Sequence, residues 1–210
     1  IYEEQNNDSM AILHFSRSLK ISKEIGNEKG MAGTIANIGL LYKKKKDYKK
    51  AISYYLTSLE IFEKIGSKKG VAHSFNNIGV IYYAQEDYLN ANTFYTKGLN
   101  IQEDIGDKIG IAISLNNIGN VFYKQSNYYK AKSYSKRALN IAQEIGAANE
   151  TRNGAKSLSK AYKKLGKYKE SLEMYELYIK TKDSLELEKN QKEINRQEFK
   201  YTYEKQAAAD

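Results

Sequence analysis

Apolar residues recur along this chain with a helical spacing. In "SFNNIGVIYY" (74–83), Phe75, Ile78, Gly79 and Tyr82 fall at i, i+3, i+4 and i+7, which puts them on one face of a helix. After "QED" a second pattern runs through Tyr88, Ala91, Phe94, Tyr95, Leu99, Ile101 and Ile105, with Asp87 where an N-cap belongs. These are a helix A and a helix B of roughly 17 or 18 residues each, joined by very short turns.

The pair repeats. "EIGNEKG" at 24, "KIGSKKG" at 64, "DIGDKIG" at 104 and "EIGAANE" at 144 align without a gap, so the period is 40. Tyr42, Tyr82, Phe122 and Tyr162 form one column, and Tyr48, Tyr88, Tyr128 and Tyr168 another. Asp47 and Asn127 match the cap at Asp87 but Lys167 does not, so a different entry into the last hairpin is expected. Gly26, Gly66, Gly106 and Gly146 close each helix B, and Asn27, Ser67 and Asp107 stand ready to cap the next helix A. An all-α array of antiparallel hairpins follows. Its repeats span 31–70, 71–110, 111–150 and 151–183, after an incomplete first repeat over 1–30 in which "IYEEQ" is the tail of a helix A. Stacked hairpins bury each face only against a neighbour, so the first helix B is expected to lack its partner, and the chain to begin inside a larger protein.

Composition sharpens this picture. Among 210 residues, 41% of them hydrophobic, there is no proline where average usage near 5% would give about ten, so no helix is interrupted that way. Cysteine is absent, which removes disulfides, thiolate metal sites and a cysteine nucleophile. No 18-residue apolar run and no signal-peptide pattern is present, so a soluble chain with no membrane segment is expected. The net charge of +9 is clustered in Lys43–Lys46, Lys49 and Lys50, and again in Lys156, Lys160, Lys163, Lys164, Lys167 and Lys169. Solvated helix faces account for most of these lysines.

The third unit carries "FNNIGVIY" in helix A and "ANTFYTKGL" in helix B, which resembles the tetratricopeptide pattern. Ile38, Ile78, Ile118 and Leu158 take its leucine column, Gly39, Gly79 and Gly119 its glycine, Ala51, Ala91 and Ala131 its alanine, and Tyr55, Tyr95 and Tyr175 its late aromatic. Ser159 departs from the glycine column and Ser135 from the aromatic one, and the 40-residue period fits the long-helix variety of the family. HEAT and armadillo repeats share a similar period, but the Gly and Tyr columns argue against them. The resemblance implies a right-handed α-solenoid whose A helices line the concave face.

Beyond the last hairpin, residues 184–206 read as a charged helix with Leu187, Ile194 and Tyr201 spaced by sevens. The opposing heptad position offers Asn190, Gln197 and Glu204, which gives weak support for a coiled coil. Residues 207–210 read as an appended tail. The "KDSL" at 182–185, taken as a turn, and "YTYEKQ" from Tyr201 resemble the end of the tetratricopeptide region in membrane-bound bacterial sensor histidine kinases and related regulators. That resemblance implies a sensory or regulatory part of a signalling protein, periplasmic, with a cytoplasmic adaptor as the alternative.

Chemistry for catalysis is thin. His14 and His73 stand alone without a ligand at i+4, and "IGDKIG" lacks the Lys-Ser/Thr ending of a phosphate loop, so no enzyme activity, cofactor or metal is expected. Most of the 19 tyrosines are expected to pack helix A against helix B, with Tyr83 and Tyr123 as exceptions. Residues away from the apolar face of helix A form a second surface. It comprises Asn37; His73, Asn76, Asn77 and Tyr83; Asn116, Asn117, Asn120 and Tyr123; and Asn153, Lys156 and Lys160. Asparagine disfavours helix by at most about 0.7 kcal/mol, which one hydrogen bond of about 1 kcal/mol offsets. The amides therefore either bond to one another as a ladder or meet a ligand. The resemblance implies the second for Asn37, Asn77 and Asn117, whose column binds peptide backbone or a terminal carboxylate in several tetratricopeptide domains. A protein or peptide segment in the groove, acidic or C-terminal, is the expected partner. Self-association through the terminal helix is the alternative, and nucleic acid is not expected.

Overall fold

The structure is a computed structural model that describes residues 2–207, with side-chain surroundings over 10–206. The described residues form nine helices and no strand: α1 (Tyr2–Glu24), α2 (Glu28–Lys44), α3 (Tyr48–Lys64), α4 (Lys68–Ala84), α5 (Tyr88–Asp104), α6 (Lys108–Lys124), α7 (Tyr128–Glu144), α8 (Ala148–Lys164) and α9 (Tyr168–Ala207). Helices α2 to α8 are 17 residues each. Successive hairpins meet directly on the A side, α4 against α6 and α6 against α8, with no comparable contact between B helices. The A helices therefore lie on the shorter, concave side of the stack.

Caps set the boundaries. The side chains of Asp47, Asp87 and Asn127 accept hydrogen bonds from the backbone N–H groups of Lys50, Asn90 and Lys130, each at 3.1 Å. Asn27, Ser67 and Asp107 do the same for Gly30, Gly70 and Gly110. Ala147 makes no such bond, so α8 starts without a side-chain cap. Each B-to-A turn contains a left-handed glycine, as in Gly106 at φ +68°, and the Gly106 N–H to Glu103 and Asp107 N–H to Gln102 bonds complete a Schellman closure. The A-to-B turns also need a left-handed residue, and here the chain uses Lys46, Glu86 and Ser126 at φ near +60° before reverting to Gly166 at +71°.

Inside a hairpin, glycine lets an aromatic ring lie against the neighbouring helix. A Cβ on Gly79 would come within 2.7 Å of the Tyr95 ring, which is 2% exposed, and Gly39 stands in the same relation to Tyr55. Ala91, Tyr95 and Leu99 of α5 then pack with Leu115, Ile118 and Val121 of α6, so each B helix joins its own hairpin to the next. The columns of large rings also meet as expected: Tyr42 stacks on Tyr54, Tyr82 on Phe94 and Phe122 on Tyr134, with centroids 5.3–5.4 Å apart.

The two ends differ from the sequence expectation. Helix α1 is continuous from Tyr2, so "IYEEQ" is not the tail of a separate helix A. Its Ile25 is 68% exposed, whereas Ile65, Ile105 and Ile145 are half-buried against their own A helices. Helix α9 runs unbroken for 40 residues, so "KDSL" is helical and not a turn. The boundary at 183/184 is a change from packed to solvated surface within one helix, because nothing in those residues stops it: there is no glycine or proline between Gly166 and Ala207. Of the expected appended tail, Ala207 belongs to α9 and residues 208–210 lie outside the described residues.

Candidate functional site

The two central asparagines part company. A step of one residue turns a helix by about 100°, and this sends Asn76 into the protein and Asn77 toward the groove. Asn76 is buried, and its Oδ1 accepts a 2.9 Å hydrogen bond from Ser114 Oγ of α6. Ser114 Oγ also lies 2.6 Å from the Gln102 amide. A hydroxyl has one proton to give, so with Asn76 as acceptor the Gln102 NH2 must be the group facing Ser114. Asn76 is thus a rung between repeats, a correction to its place on the groove surface. Asn120 is a second rung: its Oδ1 accepts from Ser157 Oγ of α8 at 3.0 Å.

These rungs correct the ladder expectation as well. The amides bond to serine hydroxyls of the following A helix and not to each other. Asn116, one repeat after Asn76, finds Gly154 where its hydroxyl partner should be, and its Oδ1 is buried without a hydrogen bond. Gly154 cannot supply one, because a Cβ there would meet the Leu139 backbone at 3.1 Å.

Asn37, Asn77 and Asn117 behave differently. Among the described residues their side chains make no hydrogen bond, Asn37 is exposed and the other two are half-exposed. Asn37, His73 and Asn77 line a cleft of about 520 Å³ between α2 and α4, together with Lys29, Ala36 and Lys69. Asp107 orders its rim. One of its oxygens caps α6, while the other lies 3.3 Å from Lys69 Nζ and 3.9 Å from His73 Nε2. Lys29 and Lys69 carried no signal that marked them for this cleft among so many lysines.

Tyr83 and Tyr123 do two jobs. Tyr83 packs edge-on to Tyr88 at 5.7 Å and Tyr123 packs against Tyr128 at 5.5 Å, so each ring leans on the first residue of the next B helix. Burial raises the pKa of the Tyr83 hydroxyl, with the neighbouring Tyr88 adding to the effect. Tyr123 and Lys160 share a second cleft with Lys163, Lys164 and Tyr168, about 500 Å³ in volume. Lys156 lies over the Tyr178 ring at 5.4 Å, and Asn153 bonds to Arg152; both remain exposed. The candidate residues therefore form two clefts and a set of internal rungs, not one continuous site. No group of three or more potential metal ligands occurs among the described residues, and no described helix is long and apolar enough to cross a membrane.

A curved stack of short-turn hairpins with polar A-helix positions on its inner side defines a helical-repeat protein of the solenoid class. The tetratricopeptide repeat model matches residues 31–104 and 110–184, and the chain belongs to that family. A search of curated protein sequences finds no match. Among solved structures, the fold is similar to that of BtubC from P. vanneervenii, with 18% identity, a TM-score of 0.73, and coverage of 88% of this chain and 76% of that one. A Rap protein complexed with competence and sporulation factor has 22% identity and a TM-score of 0.73 over 85% of this chain. The Rap conjugation gene regulator of plasmid pLS20, in complex with the Phr* peptide, has 18% identity and a TM-score of 0.74 over 87% of this chain. The chain spans about half the length of each of these two Rap chains, 50% in both cases.

Proposed function

We propose that this domain is a binding module that holds an extended peptide or protein segment along its concave face, as the sensory or regulatory part of a bacterial signalling protein. The observation that carries the reading is the division of labour among the asparagines. The rungs of the stack use Asn76 and Asn120, while Asn37, Asn77 and Asn117 repeat at one position of three successive A helices with their amides unbonded. An amide offers a donor and an acceptor together, the pair that an extended backbone presents. Structural neighbours with peptide and factor complexes support the same use of the fold. The signalling context rests on the resemblance of the terminal helix to that of sensor kinases.

The test begins with a peptide selected on the intact chain from a random displayed library, followed by anisotropy on the labelled peptide. Asn77→Ala combined with Asn117→Ala is expected to weaken binding about tenfold, the scale of one or two lost hydrogen bonds, with unchanged thermal unfolding. Unchanged affinity would remove the groove assignment.

A second reading, self-association, is favoured by the free part of α9, where Leu187, Ile194 and Tyr201 are all exposed. Sedimentation of the chain with and without residues 184–210 decides it: a monomer in both forms rules it out.

A further inference from the structure

The concave surface changes chemistry at α8. One groove position reads Ala36, Asn76, Asn116 and then Lys156; the next reads Leu40, Val80, Asn120 and then Lys160; a third reads Lys43, Tyr83, Tyr123 and then Lys163. Helix α8 carries five basic residues and one acidic residue. Two of those lysines, with the adjacent Lys164, converge with Tyr123 and Tyr168 on the 500 Å³ cleft at the junction of α6, α8 and α9. No acidic residue lines it. Lys160 and Lys163 have no ionic partner among the described residues, and Lys164 is met only by the Tyr128 ring, at 6.0 Å from its centroid.

Other basic regions of the chain are answered from within. In the lysine cluster before α3, Lys50 pairs with Asp47 at 3.3 Å and lies over the Tyr42 ring. The cleft between α8 and the free part of α9 contains Glu186, Glu188 and Glu193 alongside its lysines and arginines, and Glu188 pairs with Lys192. At the α6/α8/α9 junction, positive charges face one another across a shared cavity, an arrangement that a bound anion relieves.

We propose that this basin is an anion subsite for acidic side chains of a peptide lying in the groove, so that the acidic end of the peptide points toward α8. The path of the peptide rests on the groove assignment above; the chemistry of the basin stands separately. Lysine ammonium groups and phenol hydroxyls are single-point donors suited to carboxylates. The volume admits more than one such side chain. A nucleic-acid strand needs a basic track along its backbone, whereas the groove positions leading here are Asn77, Val80, Asn117 and Asn120.

Fluorescein-labelled hexaglutamate at low salt is the probe, with hexaserine and single-stranded hexathymidylate as comparators. Hexaglutamate is expected to bind, and its amide-shift footprint to centre on Tyr123, Lys160, Lys163, Lys164 and Tyr168. Lys160→Glu with Lys163→Glu is expected to weaken it at least about tenfold, and Lys44→Glu with Lys49→Glu, the same charge change elsewhere, less than about twofold. All four side chains are exposed, so the fold tolerates both pairs. Equal weakening by the two pairs, a footprint elsewhere, or tighter binding of hexathymidylate in the basin would overturn the proposal. Asn77→Ala with Asn117→Ala separates the two readings. If the groove fails and the basin stands, hexaglutamate keeps its affinity and footprint in that variant.

Discussion

The α4/α5 hairpin and the α8/α9 hairpin occupy the same columns of the repeat and solve the same packing problem differently. In the first, Gly79 receives the Tyr95 ring, and that ring is sealed by the next hairpin. In the second, Ser159 replaces the glycine. Its hydroxyl donates to the Ser171 carbonyl at 2.9 Å, and the Ser171 hydroxyl donates to the Ser159 carbonyl at 3.0 Å. Tyr175, in the Tyr95 column, is left 51% exposed. An interior hairpin is thus held by apolar burial shared with both neighbours, whereas the last one is held by local hydrogen bonds within itself. The difference teaches that a repeat column specifies a contact only where a following repeat completes it.

The largest test of that contrast is truncation of the two tyrosines. Tyr95→Ala is expected to cost about 3–5 kcal/mol by denaturant unfolding, and Tyr175→Ala no more than about 0.5 kcal/mol. Next, Gly79→Ala drives a methyl into the Tyr95 ring and should cost about 1–3 kcal/mol, while Ser159→Ala removes one hydrogen bond and should cost about 1 kcal/mol. Alkaline titration probes the same sealed rings. Burial pushes the Tyr55 hydroxyl up to about 12 and raises that of Tyr95, to which Tyr83 adds. The folded state therefore keeps protons that the unfolded chain releases near its ordinary value of 10.0. Their contribution to stability is full below pH 10 and is lost as pH rises through about 12, which stability curves at stepped pH measure. The smallest effect concerns the turns. Glu86→Gly should stabilise the α4/α5 hairpin by about 0.5–1 kcal/mol by relieving a left-handed side chain, and Gly166→Ala should destabilise the α8/α9 hairpin by a similar amount.

Much of the fold was legible because one period governed several signals at once. Glycine after each helix B, Asp or Asn before the next helix, and the Gly–Tyr column all pointed to the same boundaries, and the 17-residue helices follow from them. The left-handed A-to-B turns were not legible, because Lys46, Glu86 and Ser126 carry no preference that marks them. The continuity of α9 was missed because a "KDSL" resemblance was given weight over a segment without any helix-stopping residue. Asn76 and Asn77 were assigned to one surface because both lie off the apolar face. Only the placement of Ser114 and Gln102 distinguishes them, and that depends on how one repeat stacks on the next. The basin needed the same information: Lys160 and Tyr123 are 37 positions apart and meet across a hairpin interface.

The unbroken α9 has a mechanical meaning. From Leu185 onward it projects about 33 Å beyond the packed stack at 1.5 Å per residue. A rod of that length works as a pointer. A tilt of about 5° in the hairpin at its base, smaller than a shift any one groove contact would reveal, carries its tip through about 3 Å. Since α8 supplies both the wall of the basin and the bed on which the base of α9 rests, the rod indicates the position of the last hairpin at a place where it can be read from a distance.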